Sequence, residues 1–155
     1  MKWVTRERPK IDRIACPWLI ARFIDTEPEF LYVPAERVLA VAEETGATPF
    51  DVAGVELGHV GDHCSFDAFL AKYHLTDPAL HQLADIVRGA DTARLDLTPQ
   101  SAGLHAVSLG LSTVFTDDHA MLRHGMVVYD ALYAWCRMRR SGTHDWPPTG
   151  WPTAA

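Results

Sequence analysis

The chain has 155 residues, 48% of them hydrophobic and 22% charged, and a formal net charge of -6. That is length for one domain burying roughly two-thirds of its unfolded surface, with a composition that excludes disordered and fibrous classes. The longest apolar runs are broken by Arg22, Asp130 or glycine, which excludes a membrane-spanning helix, and no signal-type apolar stretch follows Met1. A cytoplasmic location is therefore expected. Cys16, Cys64 and Cys136 are odd in number and widely spaced, so free thiols are expected rather than a disulfide framework.

Charge is unevenly spread. Residues 1–22 carry six basic side chains against Glu7 and Asp12, a net +4, whereas residues 23–136 carry five basic and seventeen acidic, a net -12. Such a basic arm can attract a small anion, a nucleic-acid phosphate or the acidic body itself. The acidic body makes nucleic acid a poor partner for this chain alone.

In chain order, residues 12–25 (DRIACPWLIARFID) come first and read as an apolar helix with an awkward proline. Taking Pro17 as the first helical residue makes Cys16 the N-cap and puts its thiol beside Arg13 at the positive helix end, lowering its pKa. A start near Arg13 with Asp12 as cap would bury Pro17 in the helix at a cost of up to about 3 kcal/mol. Residues 29–33 (EFLYV) predict a strand, residues 35–45 a helix ending at Gly46, and PFDV and VELGHV two short strands. Helices follow from Ser65, a candidate N-cap, from Asp77-Pro78, and from Pro99. A last helix over about 117–138, bent near Gly125, precedes a proline- and glycine-rich tail. The expected class is α+β: a mostly helical single domain over 1–140, a small sheet in its N-terminal third, and a tail over 141–155. No alternating βαβ series, GxGxxG or P-loop is seen, so no nucleotide or flavin site is expected.

Two clusters carry chemistry. HVGDHCSFD holds His59, Asp62, His63, Cys64 and Asp67 across a strand end, a glycine turn and a helix start. Imidazole, thiolate and carboxylate are ligands of zinc and iron, although this spacing follows no established zinc pattern. The alternative is a small buried Cys64 beside hydrogen-bonded histidines. TDDHAMLRHG holds Asp117, Asp118, His119 and His124, and helix capping accounts for its acids equally well. Asp91 caps a loop or reaches inward, while His81 and His105 sit on otherwise apolar helical patterns.

The runs WVTRERPKIDRIACPWLIARFID, GHVGDHCSFDAFL, DPALHQLADIVRGADTARLDL and DDHAMLRHGMVVYDALYAWCR resemble, in this order, the C-terminal domain of the chromate resistance protein ChrB family. The resemblance covers about residues 3–137. It implies a role beside a chromate efflux transporter or a chromate-responsive regulator, each a partner to consider. The family's regulators carry a further N-terminal region, so this chain is expected to act without a DNA-binding region of its own.

The expected function is a sensor or accessory domain that binds chromate or a related oxyanion, a divalent metal ion (Zn or Fe), or both. Arg6, Arg13 and Arg22 are the candidate anion donors, and His59, Cys64, Asp67, Asp91 and Asp118 the candidate metal ligands. The alternative is a thiol- or metal-dependent redox enzyme acting on chromate or oxidative damage, with Cys16 and Cys64 as candidate thiols. A third reading makes the polar clusters caps in a protein–protein module. The oligomeric state is left open.

Overall fold

Five residues, Lys2–Arg6, form the strand on which the N-terminal half is organised (β1). The computed structural model describes residues 1–138, and the expected tail over 141–155 lies outside them. β1 pairs in parallel with β2 (Glu29–Val33) on one side and with the two-residue β3 (Thr48–Pro49) on the other, giving the order β2-β1-β3. Trp3 and Val4 are fully buried. Between β1 and β2 the chain runs through α1 (Asp12–Leu19) and a π-helical turn (Ile20–Ile24); between β2 and β3 it runs through a 3₁₀ turn and α2 (Val38–Thr45). α3 (Ser65–Lys72), α4 (Pro78–Asp91), α5 (Ser101–Val114) and α6 (Asp118–Arg137) complete the fold.

The class is α+β, as expected, and β2, α2 with its Gly46 terminus at φ 71°, and the Asp77-capped α4 all form where the local signals put them. Three expectations are corrected. The expected absence of a βαβ series fails, because β1, β2 and β3 are parallel strands joined through helices. PFDV and VELGHV do not form strands: beyond β3 there is only an isolated bridge between Val60 and His63 in this region. The N-cap of α3 is Cys64, whose backbone N–H donates to Asp67 Oδ2 at 3.0 Å, not Ser65.

α1 also departs from expectation. It begins at Asp12, so Pro17 lies inside it and Cys16 is a buried mid-helix residue rather than an N-cap. Proline has no N–H to give the Arg13 carbonyl four residues earlier. The Tyr32 hydroxyl from β2 donates to that carbonyl at 2.9 Å, so the sheet fills the gap that the proline leaves. The next turn widens, with Asp25 N–H donating five residues back to Ile20 O at 2.9 Å.

α6 runs unbroken through Gly125. A Cβ at Gly125 would stand 2.6 Å from Ile14 Cγ2, so glycine is what allows α6 to lie close against α1. Asp130 holds the far end of the same contact, accepting from Trp18 Nε1 at 2.7 Å and from Arg22 at 3.0 and 2.9 Å. Among the described residues, no helix is long and apolar enough to cross a membrane.

Candidate metal centre

The loops leaving β1 and β3 begin side by side, because the two strands are parallel neighbours. In open parallel sheets, ligands lie beyond the carboxyl ends of the strands, where the chain order switches direction. Here that place is between Arg6, the last residue of β1, and Asp51, two residues past β3. Arg6 Nε donates to the Asp51 backbone carbonyl at 3.0 Å, and its Nη2 meets Asp51 Oδ2 at 3.0 Å. Arg13 Nε approaches the same Oδ2 at 3.3 Å, and Ser65 Oγ donates to Asp51 Oδ1 at 2.8 Å.

Two helix starts bring in further carboxylates. The Ser65 N–H at the beginning of α3 donates to Asp12 Oδ2 at 2.6 Å. The Asp12 N–H at the beginning of α1 points to Asp91 Oδ1 at 3.4 Å. Free N–H groups and the positive helix end favour carboxylates at these places. Asp91 itself ends α4.

His59 closes the group from the loop between β3 and α3. Its Nε2 lies 2.9 Å from Asp91 Oδ2, 3.3 Å from Asp51 Oδ1 and 3.6 Å from Asp12 Oδ2. One ring nitrogen thus faces three carboxylates. Asp12, His59 and Asp91 each offer a ligand atom within 4.8 Å of the others, close enough to converge on one ion with small side-chain shifts.

Electrostatics show what this grouping costs. Asp12 is 1% exposed, and burial pushes its pKa well up, as do Asp91 and Asp51 beside it. Burial and then Asp51 also raise Asp91. Burial acts on Asp51 in the same direction, but hydrogen bonds from His59 and Ser65 and the two arginines outweigh it, and its pKa is lowered. The hydrogen bond to Asp51 raises that of His59. Asp12 Oδ1 is buried with no hydrogen-bond partner. A buried acceptor without a donor is costly, and a carboxylate oxygen most of all.

A cation between Asp12, His59 and Asp91 would offset this repulsion and give the Asp12 carboxylate a partner. The residues therefore fit a divalent metal, and the oxygen-rich, single-imidazole set matches first-row ions such as Fe(II), Mn(II) or Zn(II). Cys64 borders the group as a thiol rather than a thiolate, and a hydrogen bond from its side chain to Asp12 works against the rise in the Asp12 pKa. Its Sγ donates to Asp67 Oδ2 at 3.5 Å, and burial pushes the thiol pKa strongly up, with Asp12 and Asp67 adding to it.

The other expected site residues are dispersed. Asp67 forms a pair with Arg88, at 2.9 Å from Nε and 2.6 Å from Nη2, which links α3 to α4. Asp118 accepts from the backbone N–H of Arg8 at 3.0 Å and from its Nη1 at 3.2 Å. Arg22 is paired with Asp130 on α6, apart from Arg6 and Arg13, which do meet at Asp51. The expected low-pKa Cys16 is corrected: burial raises its pKa well above the ordinary value, and Asp12 adds to the shift. Much of the basic arm is satisfied within the molecule, through Asp51, Asp118 and Asp130.

Two central members, Asp12 and Asp51, are absent from the expected ligands. Asp12 stands as an acid between Ile11 and Ile14 at a helix start, and Asp51 follows the buried Phe50. An acid embedded in an apolar context was the available signal for both.

The family described as ChrB, C-terminal domain, matches residues 3–136. Protein ChrB of Cupriavidus metallidurans is 34% identical over 133 residues, which cover 85% of this chain and 40% of that relative. The chain thus spans less than half the length of this curated relative. No solved structure matches. A match running from β1 to the end of α6 takes in every element that builds the acidic group, and the chain belongs to the ChrB C-terminal domain family.

Proposed function

We propose that this chain is the effector-handling domain of a chromate-resistance protein, and that it works through a divalent metal ion held by Asp12, His59 and Asp91. Family membership supports the chromate-resistance role. The observation that carries the metal is the buried, unpartnered Asp12 Oδ1 within a group of three carboxylates around one imidazole. Metal ligands are held in orientation by their neighbours. Here Ser65 N–H orients Asp12, Asp12 N–H orients Asp91, and Asp51 lies beside His59. When bound, the ion supplies Lewis acidity and open coordination positions. Against a thiol-driven redox enzyme, Cys16 and Cys64 are both buried with raised pKa values, so neither is a ready thiolate.

The test is metal uptake by untagged protein stripped with a chelator, incubated with Zn(II), Mn(II) or Fe(II), and dialysed. One equivalent is expected by elemental analysis, with a rise in melting temperature from preferential binding to the folded state. Asp91→Asn and His59→Ala should each lower metal affinity at least tenfold while keeping the helical circular dichroism of the parent. Uptake of no metal by the parent, or equal uptake by both variants, overturns the assignment.

A further inference from the structure

The acidic group opens onto a pocket of about 320 Å³ whose walls include Arg6, Lys10, Arg13, His59 and Asp91. A second hollow of about 370 Å³ shares Arg6, Asp51 and His59 with it. Basic side chains in a pocket ordinarily suggest direct capture of an anion by guanidinium groups. The hydrogen bonding argues otherwise here.

Both arginines are already committed. Arg6 gives its Nε and Nη2 to Asp51, and Arg13 gives Nη1 to the carbonyls of Glu7 and Arg6, at 3.1 and 3.4 Å, while its Nε faces Asp51. A bare oxyanion entering here would also meet Asp51 and Asp91 in the wall, with the buried Asp12 behind them. The guanidiniums of Arg6 and Arg13 are both turned to Asp51 and His59 Nε2 is shared among the carboxylates, so the cations of this group are spent on its own acids rather than left to face a dianion. A divalent ion adds positive charge at this place and supplies coordination positions that an oxyanion can occupy. Lys10, exposed at the pocket and without an ion pair among the described residues, is placed to add counter-charge at the mouth.

We infer that tetrahedral oxyanions of the sulfate and chromate class bind this pocket as ligands of the metal ion, with Lys10 assisting, and do not bind the metal-free protein appreciably. The inference rests on the metal assignment above and adds a condition to it: the anion site exists only in the loaded state. Coupling of this kind is reciprocal, so sulfate raises metal affinity by the factor by which metal raises sulfate affinity.

Sulfate, which undergoes no redox reaction with the metals used, is titrated calorimetrically into the full chain in chelator-stripped and Zn(II)-loaded form. Sulfate affinity is expected to be at least tenfold higher for the loaded protein. Lys10→Ala should weaken it severalfold at unchanged zinc content. Cobalt(II)-loaded protein gives a direct readout, because its visible d–d bands change when sulfate enters the coordination sphere. Equal sulfate affinity with and without zinc overturns the inference, as does an unchanged cobalt spectrum at saturating sulfate. Both outcomes leave the metal assignment standing. Failure to take up zinc or cobalt at all is seen before sulfate is added, and it removes both.

Discussion

Asp12 carries more conflicting demands than any other residue described. Its Oδ2 anchors the start of α3 through the Ser65 N–H, while its Oδ1 is buried without a partner beside two further carboxylates. Residues with such conflicts are commonly kept for function at some cost to stability. Asparagine has nearly the same shape and retains a carbonyl oxygen to accept from Ser65, but it carries no charge. Asp12→Asn should therefore stabilise the metal-free protein by about 1 kcal/mol, because it removes a buried charge repelled by Asp51 and Asp91. It should also weaken metal binding. Urea unfolding in the presence of chelator measures the first effect, and a lower midpoint than the parent's would show that Asp12 is not in conflict with its neighbours.

At the scale of elements, Pro17 and Tyr32 form one unit. The proline removes a helical donor, and the Tyr32 hydroxyl from β2 supplies a substitute to the Arg13 carbonyl. Tyr32→Phe should cost about 1–2 kcal/mol by leaving that carbonyl without a protein donor. In a Pro17→Ala background the restored N–H can bond to Arg13 O, so the same change should cost clearly less. A double-mutant cycle on unfolding free energies detects this coupling; strict additivity would show that Tyr32 does not compensate for the proline. The pair also explains why local rules misplace the start of this helix. Local rules place proline at a helix start, and the donor that lets it sit deeper comes from a strand 15 residues further along. β1 escapes local rules for a related reason. KWVTR is short and ends in charges, and its identity as a strand comes from two parallel neighbours that meet it only in the fold. Helices with strong local caps, such as α4 behind Asp77-Pro78, were legible. His59 and Asp91 could be picked out by residue type, but their convergence with Asp12 and Asp51 depends on pairings between distant segments.

For the molecule as a whole, carboxylates paired with cations or hydrogen-bond donors hold separate segments together, and this sets its response to acid. Burial alone would raise the Asp67 pKa, but the Arg88 pair outweighs it and the value is lowered. The Arg22 pair lowers Asp130, against the effect of burial, and the Tyr133 hydroxyl does so most for Asp77. For each group the folded state binds its proton less readily than the unfolded chain, whose aspartates titrate near about 3.9. The stabilisation is therefore complete above that pH and is lost as pH falls through the lowered folded values. The unfolding midpoint in urea should hold between pH 7 and pH 5 as far as these pairs are concerned, and fall steeply below about pH 4. Asp67 is the most buried of the three, and its pair ties α3 to α4 directly beside the acidic group. Asp67→Asn should accordingly lower stability at pH 7 and flatten the dependence on pH below 4, since a group that no longer titrates cannot contribute to the slope. The measurement is urea unfolding of chelator-treated parent and variant from pH 7 down to pH 3. A variant curve running parallel to the parent's throughout would mean that the Asp67–Arg88 pair takes no part in acid unfolding.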